Sequence, residues 1–232
     1  MLGVLSRWIV HPLFRFLNIK VQPNQGLLLA SSSISGLMYA YSNPMIVKEL
    51  VSKLPPEWLS IEAIWMSIAT LLVGMAWKGG VRSVALRHFS VFAAVESAAA
   101  FFISMFLVFV HYNVWIFAVA TLLYSSVITN FVCKCIMAFK TKLWLEKSRE
   151  EYDNTDSVVR SVIMIIGFAV AALSMPKLEV AIAVWGCACV FDDIGWIAVY
   201  RRTRGLILKE EPAQMPYKTA QGENTKPREI CS

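Results

Sequence analysis

Long apolar stretches recur along the chain, at about residues 26–42, 57–77, 89–110, 114–139, 158–175 and 178–200. Each is near the ~20 residues that a helix needs to cross the hydrocarbon core of a bilayer. They are too long and too evenly apolar for barrel strands, which run to ~10 residues of alternating pattern. A segment in lipid must satisfy its own backbone hydrogen bonds, so each stretch is predicted to be a helix. Composition agrees: 57% of residues are hydrophobic and 16% charged, with a mean hydropathy of +0.56. A soluble domain carries roughly 45–50% apolar and about 25% charged residues. The expected fold is an all-α integral membrane protein with a bundle of six transmembrane helices in residues 23–204. An N-terminal interfacial amphipathic helix over 1–22 precedes it, and a disordered cytoplasmic tail over 205–232 follows.

Lys and Arg placement sets the orientation. With six spans both ends lie on one side. That side carries Arg7, Arg15 and Lys20, then Lys78, Arg82 and Arg87, then Lys140, Lys142, Lys147, Arg149 and Arg160, and finally Arg201, Arg202 and Arg204. The other side has only Lys48, Lys53 and Lys177. Both termini are therefore expected in the cytoplasm, and a bacterial inner membrane is the expected location. The net charge of +6 is mostly this positive-inside charge, free to meet anionic head groups. Nothing in it resembles a nucleic-acid surface.

The connections are short. "HYN" (111–113) and "MPK" (175–177) read as tight turns, and residues 43–56 as the one longer outer loop. The pairs Lys142–Glu146 and Lys147–Glu151 are one helical turn apart, which predicts that the fourth span continues to about Tyr152. "DNTDS" would then cap the fifth span through Asn154 or Thr155.

No enzyme is expected. Gly-rich phosphate loops, the G-x-S-x-G elbow and H-E-x-x-H are all absent, and His11, His88 and His111 form no ligand set. Cys133/Cys135 and Cys187/Cys189 are C-x-C pairs, and residues two apart on a helix point about 200° away from each other. They cannot chelate a metal there and are expected to act as small apolar residues. No cofactor and no metal is expected. In the first span Ser31 with Ser35, and Ser32 with Gly36, make small-xxx-small faces for close helix packing, within the chain rather than between chains.

The ionisable residues inside the spans are the candidate site, because charge in lipid marks function. They are Glu96, Lys134, Asp192 and Asp193. At 1.5 Å per residue Glu96 lies roughly 10 Å, Lys134 roughly 9 Å and the aspartates roughly 12–13 Å in from the cytoplasmic ends of their helices. Lys134 is the buried cation at the right depth and is expected to pair with at least one of the three carboxylates. Three carboxylates still exceed one ammonium. The remainder requires protonation, a second cation such as Arg160, or water and a cationic ligand. The aspartates are about 100° apart around the helix, so one is expected to meet Lys134 and the other a cavity. Such a cluster serves either as an ion-pair lock between helices or as a proton-coupled transport site.

Six spans with both ends inside, the basic connection "WKGGVRSVALRHF", the charged connection "LEKSREEYDN" and the closing "YRRTRG" resemble the N-terminal half of a major facilitator superfamily transporter, over about 26–204. Lys78 stands where that family's connection carries an acidic residue, and Arg82 survives. The resemblance implies transport of an unknown small solute by a half-size protein, and hence a homodimer or a membrane partner protein. The alternatives are a non-transporting accessory protein, such as an immunity, assembly or scaffold factor, and the permease subunit of an ABC exporter with a separate ATPase.

Overall fold

The computed structural model describes residues 23–109, 112–144 and 146–209. It contains α1 (Pro23–Lys53), α2 (Glu57–Ala76), α3 (Arg82–Arg87), α4 (Phe89–Phe109), α5 (Val114–Leu123), α6 (Asn130–Leu143), α7 (Glu146–Ser174) and α8 (Leu178–Lys209). A kink at Trp77–Val81, with Gly80 in the left-handed region at φ 96°, joins α2 to α3, and a π-helical turn at Tyr124–Thr129 joins α5 to α6. No strand occurs among the described residues.

Five segments are long and apolar enough to cross a membrane: Glu57–Ala76, Phe89–Phe109, Val114–Leu143, Arg149–Ser174 and Leu178–Gly205. Their outward residues are apolar and exposed, among them Leu59, Ile64, Leu71, Phe102, Ile165 and Leu173. That much unpaired apolar surface suits lipid rather than water. The chain is a multi-pass membrane protein.

α1 is as long as these helices but less apolar, because "ASSSISG" occupies its middle. Those polar residues are turned inward: Ser31, Ser32, Ser33, Ser35 and Ser42 are all buried. α1 does not stop near residue 42. It runs through Pro44 to Lys53, so the expected outer loop over 43–56 is reduced to residues 54–56. Pro44 removes one intrahelical donor, and the outer half of α1 is held instead by Ile46, buried with Leu107, Phe117, Ala181 and Ile182.

α8 is the central post, packed against α1 on one side and α4 on the other. Two glycines permit this. A β-carbon on Gly195 would collide with Ser31, and one on Gly186 with Ser104. α7 approaches α1 in the same way, where a β-carbon on Gly167 would lie 2.7 Å from the Ala40 Cβ and 2.8 Å from the Leu37 oxygen. Small residues are what allow helix backbones to close up in lipid.

The end of the bundle that carries α3 is an aromatic layer. Phe89 stacks on Phe139 at 5.5 Å, and Tyr200 lies 5.3 Å from Phe89 and 5.8 Å from Phe139. The Tyr200 hydroxyl is placed to donate to the Leu86 and Arg87 carbonyls at 2.8 and 2.7 Å, and so ties off the last turn of α3.

The connection after α6 differs from the expected continuous helix. α6 ends at Leu143, Trp144 is extended, and α7 starts at Glu146 and runs straight through "DNTDS". Tertiary packing overrides the local charge and cap signals. Trp144 stacks on Tyr152 at 4.8 Å, and Lys140 reaches Asp153 at 2.6 Å. Both contacts need the chain to leave the helix at Trp144. The expected interfacial helix over 1–22 lies outside the described residues. The tail boundary shifts, since α8 continues to Lys209; residues 210–232 lie outside the described residues.

Candidate functional site

The polar interior is built where α8 carries Asp192 and Asp193 past α4, α7 and the π-helical turn between α5 and α6. The two aspartates diverge as adjacent helical residues must. Asp193 faces α4. It is 3% exposed, and its Oδ2 accepts a 2.7 Å hydrogen bond from Ser97 Oγ. Glu96, 6% exposed, lies beside Asp193 and accepts from the Tyr124 hydroxyl at 3.4 Å. Asp192 faces α7, where its Oδ1 lies 3.5 Å from Arg160 Nη2.

Tyr124 belongs to the π-helical turn Tyr124–Thr129. One extra residue in that turn rotates the helix locally, and such turns recur at functional sites. The same turn anchors α2: Trp65 Nε1 donates to Ser126 Oγ at 2.8 Å, and Asn130 Nδ2 donates to Thr70 Oγ1 at 2.9 Å. Toward the α5 end, the Tyr39 hydroxyl and Cys189 Sγ lie 2.9 Å apart, and Trp185 packs edge-on against Tyr124 at 5.6 Å.

Chemically, the Glu96–Asp193 pair is unlike the Asp192–Arg160 pair. No cation among the described residues makes an ion pair with Glu96 or Asp193. An ionised carboxylate only accepts hydrogen bonds, so two neighbouring carboxyls can bond to each other only when one of them holds a proton. Ser97 and Tyr124 supply the remaining donors. The arrangement can take up, share and release a proton. Asp192 has instead a guanidinium, and both side chains of that pair keep over a third of their surface exposed, 38% for Arg160 and 36% for Asp192. Arg160 borders an opening of about 340 Å³ between α1 and α7, lined also by Gly36, Tyr39, Asn43, Met164 and Phe168.

Glu96, Asp192 and Asp193 are thus brought together, and Lys134 is not. Lys134 makes no ion pair among the described residues and lines a separate opening with Trp77 and Arg82. The reason is azimuthal. The inward face of α6 is Val132, Cys135 and Phe139, all buried, and Lys134 is about 100° round from Cys135. Arg160 takes the role expected of Lys134. Ser97, Tyr124 and Tyr39 were not picked out by sequence reasoning. Of these Ser97 had a readable signal, because it adjoins the one acidic residue of its span. Ser31, Ser32, Ser35 and Gly36 face inward within the chain, Ser31 against Gly195 and Gly36 beside Arg160.

The C-x-C pairs split between two environments: Cys135 and Cys189 are buried, Cys133 is exposed and Cys187 is half-buried. Among the described residues no group of three or more His, Cys, Asp or Glu side chains is placed to hold a metal ion.

Comparison with known proteins returns nothing: no family model, no curated protein and no solved structure matches the chain.

Proposed function

We propose that the chain is a half-size carrier of a small solute, coupled to protons through Glu96 and Asp193, and that it works as a homodimer or with a partner bundle. The observation that carries this reading is the buried pair of neighbouring carboxyls with hydroxyl donors and no ion-paired cation among the described residues. A structural lock between helices would be better served by the charge-balanced arrangement seen at Asp192 and Arg160. A second support is lateral. The opening beside Arg160 lies between α1 and α7, so a second bundle laid over those helices would enclose it.

In this reading α1 is a sixth span, both termini are cytoplasmic, and the membrane is a bacterial inner membrane. The Lys and Arg distribution supports the orientation. The likeness to one half of a major facilitator transporter is part of the proposal.

Proteoliposomes holding a pH-sensitive dye provide the test. Solutes are added in turn and proton movement is read for the native chain, Asp193→Asn and Glu96→Gln. Solute-dependent proton movement in the native chain, lost in both variants, is the expected result. Native-like coupling in both variants would overturn the assignment. No proton movement for any solute, from a particle that holds a single chain, would favour a non-transporting accessory protein.

A further inference from the structure

The open pocket beside α6 holds the cation that the acidic cluster does not use. It has a volume of about 400 Å³ and is lined by Trp77, Arg82, Asn130, Lys134, Met137 and Thr141 among others, with no carboxylate. Neither Arg82 nor Lys134 makes an ion pair among the described residues. The other inward-lying cations of this half of the bundle are matched. Lys140 holds Asp153 and lies over the Tyr152 and Trp196 rings at 5.1 and 5.4 Å, and Arg160 holds Asp192. An ammonium inside a span needs a counter-charge, and none is supplied among the described residues.

The surroundings say what kind of anion fits. Lys134 is half-buried on a segment apolar enough to span, about 13 Å in from its end at Leu143. Its stem can carry the ammonium toward the surface. Arg82 opens α3, just after the kink at Gly80 that follows α2, where the chain leaves the apolar region. Trp77 is the kind of residue that sits at head-group level. Asn130 and Thr141 add polar groups, and Met137 is 54% exposed on the side that meets acyl chains. A guanidinium and an ammonium suit a phosphate oxygen set, and basic pockets between spanning helices are known to take anionic head groups.

We propose that this pocket binds the phosphate of an anionic phospholipid, in the leaflet on the α3 side of the bundle. The lipid head group supplies the counter-charge for Lys134 and Arg82, and its chains run down past Met137. The site rests on the membrane-spanning arrangement and is independent of the carrier reading.

The test uses the full chain in nanodiscs of phosphatidylcholine, alone or with phosphatidylglycerol. Native mass spectrometry reads the phosphatidylglycerol retained per chain after mild delipidation. The expected result is retention in the native chain, reduced about fivefold by Lys134→Gln or by Arg82→Gln and further by the pair. Lys78→Gln, which removes an exposed charge that does not line the pocket, is expected to leave retention unchanged. Lys134→Arg is expected to keep it, which separates lost charge from a misfolded variant. Equal retention in the double variant and the native chain would overturn the proposal. So would equal losses in Lys78→Gln, which would indicate diffuse surface attraction. A further arm adds inorganic phosphate to the nanodiscs that contain phosphatidylglycerol. Phosphate that competes for the pocket as well as the lipid does would show a site for a soluble anion and overturn the lipid assignment.

Discussion

The two sides of α8 solve the same problem differently. Toward α7, Asp192 is answered by a cation, Arg160, in a half-exposed setting beside an opening. Toward α4, Asp193 lies beside another acid, Glu96, with Ser97 donating to Asp193 and Tyr124 to Glu96, in a buried setting. The helix packs on its neighbours by one device, a glycine against a serine: Gly195 on Ser31 of α1 and Gly186 on Ser104 of α4. The comparison shows that packing is the common scaffold and charge balance is the variable. A side balanced by a fixed cation is suited to holding helices together. A side that sets two acids together without a fixed cation is suited to exchanging a proton.

The largest effect is expected from breaking the scaffold itself. Gly195→Leu drives a side chain into α1 where even a β-carbon has no room, and should lower stability by about 3 kcal/mol, read as thermal unfolding in detergent. Gly74→Leu, with nothing within 4 Å of its β-carbon, should change it by less than about 0.5 kcal/mol. Equal effects would mean that α8 and α1 are not closely apposed.

Next comes the cation-balanced side. Arg160→Met should cost about 1–2 kcal/mol, between the limits for exposed and buried pairs, because Asp192 is left without its partner. Adding Asp192→Asn should restore most of that loss, and additive losses would deny the pairing.

The anchoring of α3 is a separate, slightly smaller contribution. Tyr200→Phe removes both hydrogen bonds to the Leu86 and Arg87 carbonyls and should cost about 1 kcal/mol in the same assay.

The proton-balanced side should respond in the opposite way. Asp193→Asn keeps an acceptor for Ser97 and offers an amide donor to Glu96, so melting should move by less than about 0.5 kcal/mol while proton-coupled flux is lost. A large stability loss would make the pair a lock. Smallest of all, Lys134→Gln in a phosphatidylcholine bilayer should shift stability by about 0.3 kcal/mol or less, since no carboxylate depends on it.

Much of the fold was legible in the sequence, because apolar length decides what crosses a bilayer. Five of the apolar stretches match segments long and apolar enough to span. The inward serines of α1 leave it less apolar than the five spanning segments, and their burial explains why it is nonetheless a long helix. Depth along a helix could also be read, and it correctly grouped Glu96, Asp192 and Asp193. Direction around the helix could not be settled by depth alone. Lys134 shares their depth region but faces away from α8, and the Val132, Cys135, Phe139 spacing was the available clue. The break at Trp144 was hidden because it depends on Tyr152 and Asp153, which come together only in the folded chain. The π-helical turn that brings Tyr124 to Glu96 has no comparable sequence signal.

The central claim is that Glu96 and Asp193 share a proton. Infrared spectroscopy of the reconstituted chain reads it directly, through the carbonyl stretch of a protonated carboxyl. The account predicts such a band in the native chain, perturbed in Glu96→Gln and in Asp193→Asn and unaffected by Asp192→Asn. A native spectrum without a protonated carboxyl, or a band that disappears only in Asp192→Asn, would contradict it.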